Sequence, residues 1–208
     1  MQLDVNKTIQ WMQLTNEKMQ ANKDYLTTLD QPIGDGDHGI NMARGFQEVA
    51  SKLNEGTYTN VSDVLKDVAM TLMSKVGGAS GPLFGTAFLK LSTKLKGEES
   101  VKQDIFGTAL TEAVNGLKQR GKAEEGEKTM VDMWAPIAQF FLGDSNVTAD
   151  GLLSKADSAL TKIKEMTATK GRAAYFKDKT VGHQDPGAAS TYLIFEALAE
   201  VWKGDSER

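Results

Sequence analysis

Cysteine is absent from the 208 residues, proline occurs four times and histidine twice. Without thiols there is no disulfide framework, thiolate zinc site, iron–sulfur cluster or cysteine nucleophile. That composition suits a reducing compartment. No apolar run approaches the roughly 18 residues that cross a bilayer. The opening decapeptide MQLDVNKTIQ sets Asp4 among polar neighbours and has no apolar signal core. The expectation is a soluble, cytoplasmic chain with no membrane partner. Neither charge dominates: 24 Lys and Arg stand against 28 Asp and Glu, a formal −4, which argues against nucleic acid as a partner. Hydrophobic residues at 40% and charged residues at 25% are those of an ordinary globular protein. Its length can bury a sizeable core. With no repeat, low-complexity tract or linker, a single domain over 1–208 is expected.

Alternating apolar–polar runs bounded by turn residues are also missing, so strands are not expected. Helical spacing is everywhere instead. Val5, Ile9, Met12, Met19, Leu26 and Leu29 fall mostly at intervals of three, four and seven, which predicts one long helix over the first thirty positions. Val61, Leu65, Val68, Leu72 and Val76 repeat the pattern. Further helices are expected at about 39–54, 82–95, 102–119, 130–142, 150–168 and 186–203. About eight helices and no sheet make an all-α bundle, with helix-on-helix packing as its core. Ser80-Gly81-Pro82 and Asp185-Pro186-Gly187 read as capped helix starts. Thr129 with Asp132 resembles a capping box in which Asp replaces the usual Glu.

The densest chemistry is Asp30-Gln-Pro-Ile-Gly-Asp35-Gly-Asp37-His38-Gly39. Hard cations such as Mg²⁺ take oxygen ligands. A glycine between Asp35 and Asp37 lets a tight turn aim both at one point, and Asp30 at the end of the first helix can join them. Bound cations would remove the mutual repulsion of the three carboxylates. Ordinary turn chemistry and helix capping account for the same residue types. An EF-hand does not: counting from Asp35, the sixth position is Ile40 rather than Gly and the twelfth is Phe46 rather than Glu.

Two further stretches run into expected helix starts. Gly77-Gly78-Ala79-Ser80-Gly81-Pro82 can offer backbone N–H groups to phosphate oxygens, although small residues also serve close helix packing. It is neither a P-loop nor a dinucleotide fingerprint, because the lysine signature and the preceding strand are missing. Gly171-Arg172 and Gly182-His183-Gln184-Asp185-Pro186-Gly187-Ala188 add an arginine suited to phosphate and another helix start. His183 can equally satisfy a buried hydrogen bond. Together the three stretches supply cation ligands, a phosphate cradle and positive charge, which is what phosphoryl transfer asks of a protein.

These blocks, with Gly121-Lys122 and Lys128-Thr129-Met130 between them, resemble the nucleotide-binding L subunits of bacterial dihydroxyacetone kinases along the whole chain. The resemblance implies a barrel of eight antiparallel helices with the nucleotide at one end. It implies that Asp30, Asp35 and Asp37 ligate two Mg²⁺ ions that hold the phosphates of ADP, or transiently ATP. His38, Gly39, Ile40 and Asn41 follow as nucleotide contacts, and Ala79 and Ser80 come from the glycine loop. Gly121, Met130, Arg172, Asp185, Pro186 and Gly187 line the adenine and ribose side. No residue is implied as a general acid or base.

The same resemblance implies two possible chemistries. One uses ATP in a long fused chain. The other keeps ADP as a coenzyme, rephosphorylated by a phosphohistidine carrier subunit of the phosphoenolpyruvate-dependent phosphotransferase system. With 208 residues assigned to helices, the separate-subunit form is expected, with dihydroxyacetone held by a partner kinase subunit. The alternatives are the nucleotide domain of an ATP-dependent kinase and an ADP-state regulator that pairs with a transcription activator.

Overall fold

A computed structural model describes residues 2–143 and 147–206. The helices in order are α1 (Val5–Ala21), α2 (Lys23–Asp30), α3 (His38–Glu55), α4 (Val61–Lys75), α5 (Ser80–Lys94), α6 (Gln103–Gly121), α7 (Val131–Leu142), α8 (Ala149–Lys164) and α9 (Pro186–Ser206). Stripe residues become core residues. On α3, Met42, Phe46, Val49 and Leu53 are buried, and on α4 Val61, Leu65, Val68 and Leu72 are fully covered. Side-chain caps open α1 (Asp4 to the Lys7 N–H, 2.9 Å), α4 (Asn60 to Asp63, 2.9 Å) and α8 (Thr148 to Gly151, 3.0 Å).

The packing runs round a closed circuit. The helices from α3 to α9 pack each on the next, while α1 packs on both α9 and α3. Successive staves run antiparallel, so α3, α5, α7 and α9 begin at one end, where α2, α4 and α6 finish. One hydrophobic cluster reaches from Leu3 to Ala199.

Four features depart from the sequence-based expectation. The first long helix breaks at Asn22, whose side-chain amide donates to the Lys18 carbonyl (2.9 Å) while its own carbonyl accepts from Leu26 and starts α2. The described residues therefore hold nine α-helices rather than about eight. Two strands exist, β1 (Gln2–Asp4) and β2 (Ser100–Lys102), paired antiparallel with Leu3 opposite Val101. Three residues are too few to show alternation. A stretch of tight 3-10 turns over Arg172–Thr180, interrupted at Lys177 with φ 49°, occupies a region expected to be loop. Finally, α8 ends at Lys164 instead of about 168, because the carbonyls of Lys164 and Met166 turn away to serve other donors. The remaining boundaries fall within about three residues of expectation, close to the normal fraying of helix ends.

Candidate nucleotide and metal site

The helix ends gathered at one end of the circuit surround an open cleft of about 230 Å³. That is less than the roughly 300–1,000 Å³ of pockets that enclose a drug-sized ligand, so a larger guest keeps one side outside the protein.

The aspartates converge. Asp30, Asp35 and Asp37 each place one carboxylate oxygen within 4.8 Å of the others. Asp30 closes α2 and is held rigidly: its Oδ2 accepts from the backbone N–H groups of Asp37 (3.1 Å) and His38 (3.3 Å), while its carbonyl accepts from Ile33 and Gly34. Gly34 is required here, since a Cβ on it would lie 2.0 Å from Asp30 Oδ1. Asp35 is half-exposed and pairs with Arg172, Oδ2 to Nη1 at 2.5 Å. The guanidinium holds the Asp35 carboxyl below its ordinary range, and Asp35 in turn raises Arg172. Oxygen-only donors at this separation, balanced by one guanidinium, fit a hard divalent cation.

His38 opens α3 and is buried. Its Nδ1 lies 3.1 Å from Ser80 Oγ and its Nε2 2.7 Å from Ser190 Oγ. One ring nitrogen donates and the other accepts, which suits a neutral imidazole, and burial pushes its pKa below the ordinary histidine value. The ring thus ties the starts of α3 and α5 to α9. Ser80 does not cap α5 as expected. Ala79 takes the cap position without a side-chain bond, and the hydroxyl turns to His38 instead.

At the start of α9, Asp185 does cap: its Oδ2 accepts from the Ala188 N–H at 2.7 Å. Burial, with lesser repulsion from Asp132, pushes its carboxyl up to about 6 against the pull of that N–H and of Lys128. At α7 the expected capping box is half realised. Asp132 accepts from the Thr129 N–H at 2.9 Å, but the Thr129 hydroxyl accepts from Val131, two residues on, and Asp132 also takes the Gly126 N–H at 2.5 Å.

Most of the expected contacts line the cleft. Asp30, Asp35, Asp37, His38, Asn41, Ala79, Ser80, Met130, Arg172, Asp185, Pro186 and Gly187 all do so. Gly39, Ile40 and Gly121 are not among its lining residues. Gly39 lies where a Cβ would strike the Lys23 carbonyl at 2.0 Å, so it serves the close packing of α3 on α2. Ile40 is 53% exposed. Gly121 ends α6, with Leu83 next to it. His183 is exposed rather than buried.

Sequence reasoning gave no site role to several lining residues: Ile33, Leu83, Lys128, Thr129, Lys170 and Ala173. Lys128 matters most. It is 2% exposed, and its ammonium donates to the carbonyls of Lys164 (2.9 Å), Met166 (2.8 Å) and Thr180 (2.6 Å). Burial lowers its pKa. A lone lysine in a charge-mixed stretch gives no sign of this; its positive φ of 60° becomes visible only in the fold.

A family model described as the DAK2 domain matches residues 32–200. The chain is 46% identical over 201 residues to the PTS-dependent dihydroxyacetone kinase, ADP-binding subunit DhaL, of Lactococcus lactis subsp. lactis, with 96% of this chain and 98% of that protein covered. The PEP-dependent dihydroxyacetone kinase 1, ADP-binding subunit DhaL, of Listeria innocua is 42% identical with the same coverage. Among solved structures, the dihydroxyacetone kinase of C. freundii superposes with a TM-score of 0.75 at 24% identity, covering 93% of this chain and 34% of that one. The same enzyme in complex with AMP-PNP and Mg²⁺ gives 0.71 at 23% identity over 96% of this chain and 34% of that one. These likenesses show a shared all-α fold, and this chain corresponds to about a third of that enzyme. No described helix is long and apolar enough to cross a membrane. By its family match and its near full-length similarity to these subunits, the chain belongs to the DAK2-domain family and, within it, to the L subunits of dihydroxyacetone kinases.

Proposed function

We propose that residues 1–208 act as one Mg–ADP-holding domain in the cytoplasm. It is the subunit through which a phosphoryl group passes from a phosphohistidine carrier of the phosphotransferase system to dihydroxyacetone held on a partner kinase subunit. One observation carries the reading: three carboxylates within 4.8 Å of one another line one cleft together with the N-termini of α3, α5 and α9. The relatives support the separate-subunit form. Proteins named as ADP-binding subunits match at 36–46% identity over most of their own length, the longer C. freundii enzyme at 24% over 34% of its chain.

Asp30, Asp35 and Asp37 would hold two magnesium ions, +4 against their −3, leaving a net positive charge toward the phosphates. Magnesium bound there supplies neutralisation of the charge on a transferring phosphoryl group. Asp30, fixed by two N–H groups, sets the geometry. The first N–H groups of α3 and α5 have no intrahelical partner and favour phosphate oxygens. Gly78, with φ +65°, turns the chain into α5 in a backbone conformation that other residues rarely adopt. Met130, Pro186 and Leu83 give the cleft an apolar wall suited to a base. The proton given up by the acceptor hydroxyl would leave on the partner subunit that holds the sugar, while this chain supplies positioning and electrostatics.

The test is nucleotide content. Protein purified without added nucleotide is denatured and its supernatant resolved by anion exchange. Near-stoichiometric ADP that survives dialysis supports the reading, together with dihydroxyacetone phosphorylation once the two partner subunits and phosphoenolpyruvate are supplied. An empty site that exchanges ATP freely points to an ATP-dependent kinase. A site with no nucleotide affinity ends the assignment.

A further inference from the structure

We propose that Lys128 is a positioning residue: by clamping three main-chain carbonyls it holds the strap over residues 165–182, and so sets where Arg172 meets the aspartates. This rests on the nucleotide reading of the cleft. An ammonium has three N–H donors. All three of those on Lys128 are spent on the carbonyls of Lys164, Met166 and Thr180. None is left for a phosphate, which separates this lysine from a ligand-binding one.

The acceptors are chosen points on the strap. Lys164 and Met166 stand where it leaves α8, and Thr180 where it returns toward α9. Other bonds staple the same base: the Ala168 N–H donates to Thr180 Oγ1 (2.9 Å), the Thr169 N–H to the Glu127 carbonyl (3.3 Å) and the Gly182 N–H to the Lys164 carbonyl (2.9 Å).

Hydrophobic burial does little to place the strap. Met166 at its base packs on the main cluster, and beyond it the strap's small core is Ala168 and Ala173 against Ile33, separate from that cluster. Its tip carries Tyr175, 87% exposed. Polar bonds therefore decide its position, and three of those at its base converge on Lys128. The strap reaches back across the cleft through Arg172, paired with Asp35. The left-handed backbone of Lys128, φ 60°, points to a residue held in place by its surroundings.

The experiment is a double-mutant cycle on Mg–ADP affinity with Lys128→Met and Arg172→Ala, paired with amide exchange in the nucleotide-free protein. Lys128→Met should keep its helical circular dichroism and lose at least tenfold in affinity. The double variant should bind no more than about threefold worse than the weaker single one, because both changes remove the same placed guanidinium. The amides of Ala168, Thr169 and Gly182 should exchange at least tenfold faster in Lys128→Met. Losses that multiply independently, or strap amides that keep their wild-type rates, overturn the proposal. If wild-type protein binds no Mg–ADP, the nucleotide reading has failed while the exchange data still decide whether the clamp exists. Should Lys128→Met not fold, Thr180→Val cuts the strap's own staple and is judged by the same cycle and the same amides.

Discussion

At the end of the circuit where α3, α5, α7 and α9 begin, the structure is made of loops, charges and unusual backbone. Through the middle and toward the opposite end it is made of aromatic rings. Every described position with positive φ except Gly97 lies in a loop at the cleft end: Gly36, Gly78, Lys122, Gly126, Lys128, Gly171, Lys177 and Gly182. Trp11, Phe88, Phe106, Trp134, Phe141 and Phe195 instead form a chain of tilted and edge-on contacts with centroids 5.0–6.1 Å apart. Trp11 also donates its indole N–H to the Ile194 carbonyl at 2.7 Å. The contrast divides the labour. Aromatic burial stabilises the circuit without regard to ligand, while the cleft end keeps close carboxylates and exposed donors whose full compensation comes from a guest.

The sharpest test of that division is Asp35→Asn. Phosphoryl transfer should fall by about a hundred- to a thousandfold, the scale of losing one preorganised charge-stabilising group, while helical circular dichroism stays as in the wild type. Turnover at the wild-type rate would remove the carboxylates from the chemistry. The converse change is Phe106→Ala, which takes a fully buried ring away from Trp11 and Phe141. It should cost about 3–5 kcal/mol of stability, read by urea melts. Well below the melting temperature, Mg–ADP affinity should stay within about threefold of wild type, and a larger loss would show that the two ends are not independent.

Ligand should stabilise from the cleft end alone. At 1,000 times its dissociation constant, Mg–ADP adds about 4 kcal/mol, and EDTA should remove it. A melting temperature indifferent to both would mean that the three aspartates need no cation.

The smallest effect concerns Asp185. Its carboxyl is raised from 3.8 to about 6 in the folded chain, so the folded state holds its proton more tightly than the unfolded one. Stability from this group is complete below about pH 4 and is lost as the pH rises through about 6, by up to about 3 kcal/mol. Asp185→Asn keeps an oxygen for the Ala188 N–H and avoids the buried charge. In nucleotide-free protein it should melt with wild type at pH 4 and above it at pH 8. Equal melting at both pH values would show that Asp185 ionises in the fold at no cost.

Readability from sequence followed the same division. Stripes such as Val61, Leu65, Val68 and Leu72 announced α4, because amphipathic helices carry their packing in local periodicity. The aspartate block was readable because its carboxylates lie within eight positions, close enough for one turn to gather them. The break at Asn22 was not readable, since its apolar stripe continues across the bend. Nor were β1 and β2, whose pairing joins positions about a hundred residues apart.

By itself the sequence determined a predominantly helical chain, where most helices start and stop, and a compact group of carboxylates and glycines that suits phosphate and a hard cation. Those properties are local: they depend on spacing, caps and side-chain chemistry within a few turns. Only the tertiary structure decided that Ser80 turns from its cap to His38, that Lys128 gathers carbonyls 36 to 52 residues further along, and that Arg172 reaches Asp35. Such contacts depend on how helix ends converge when the circuit closes, and no spacing along the chain encodes that distance.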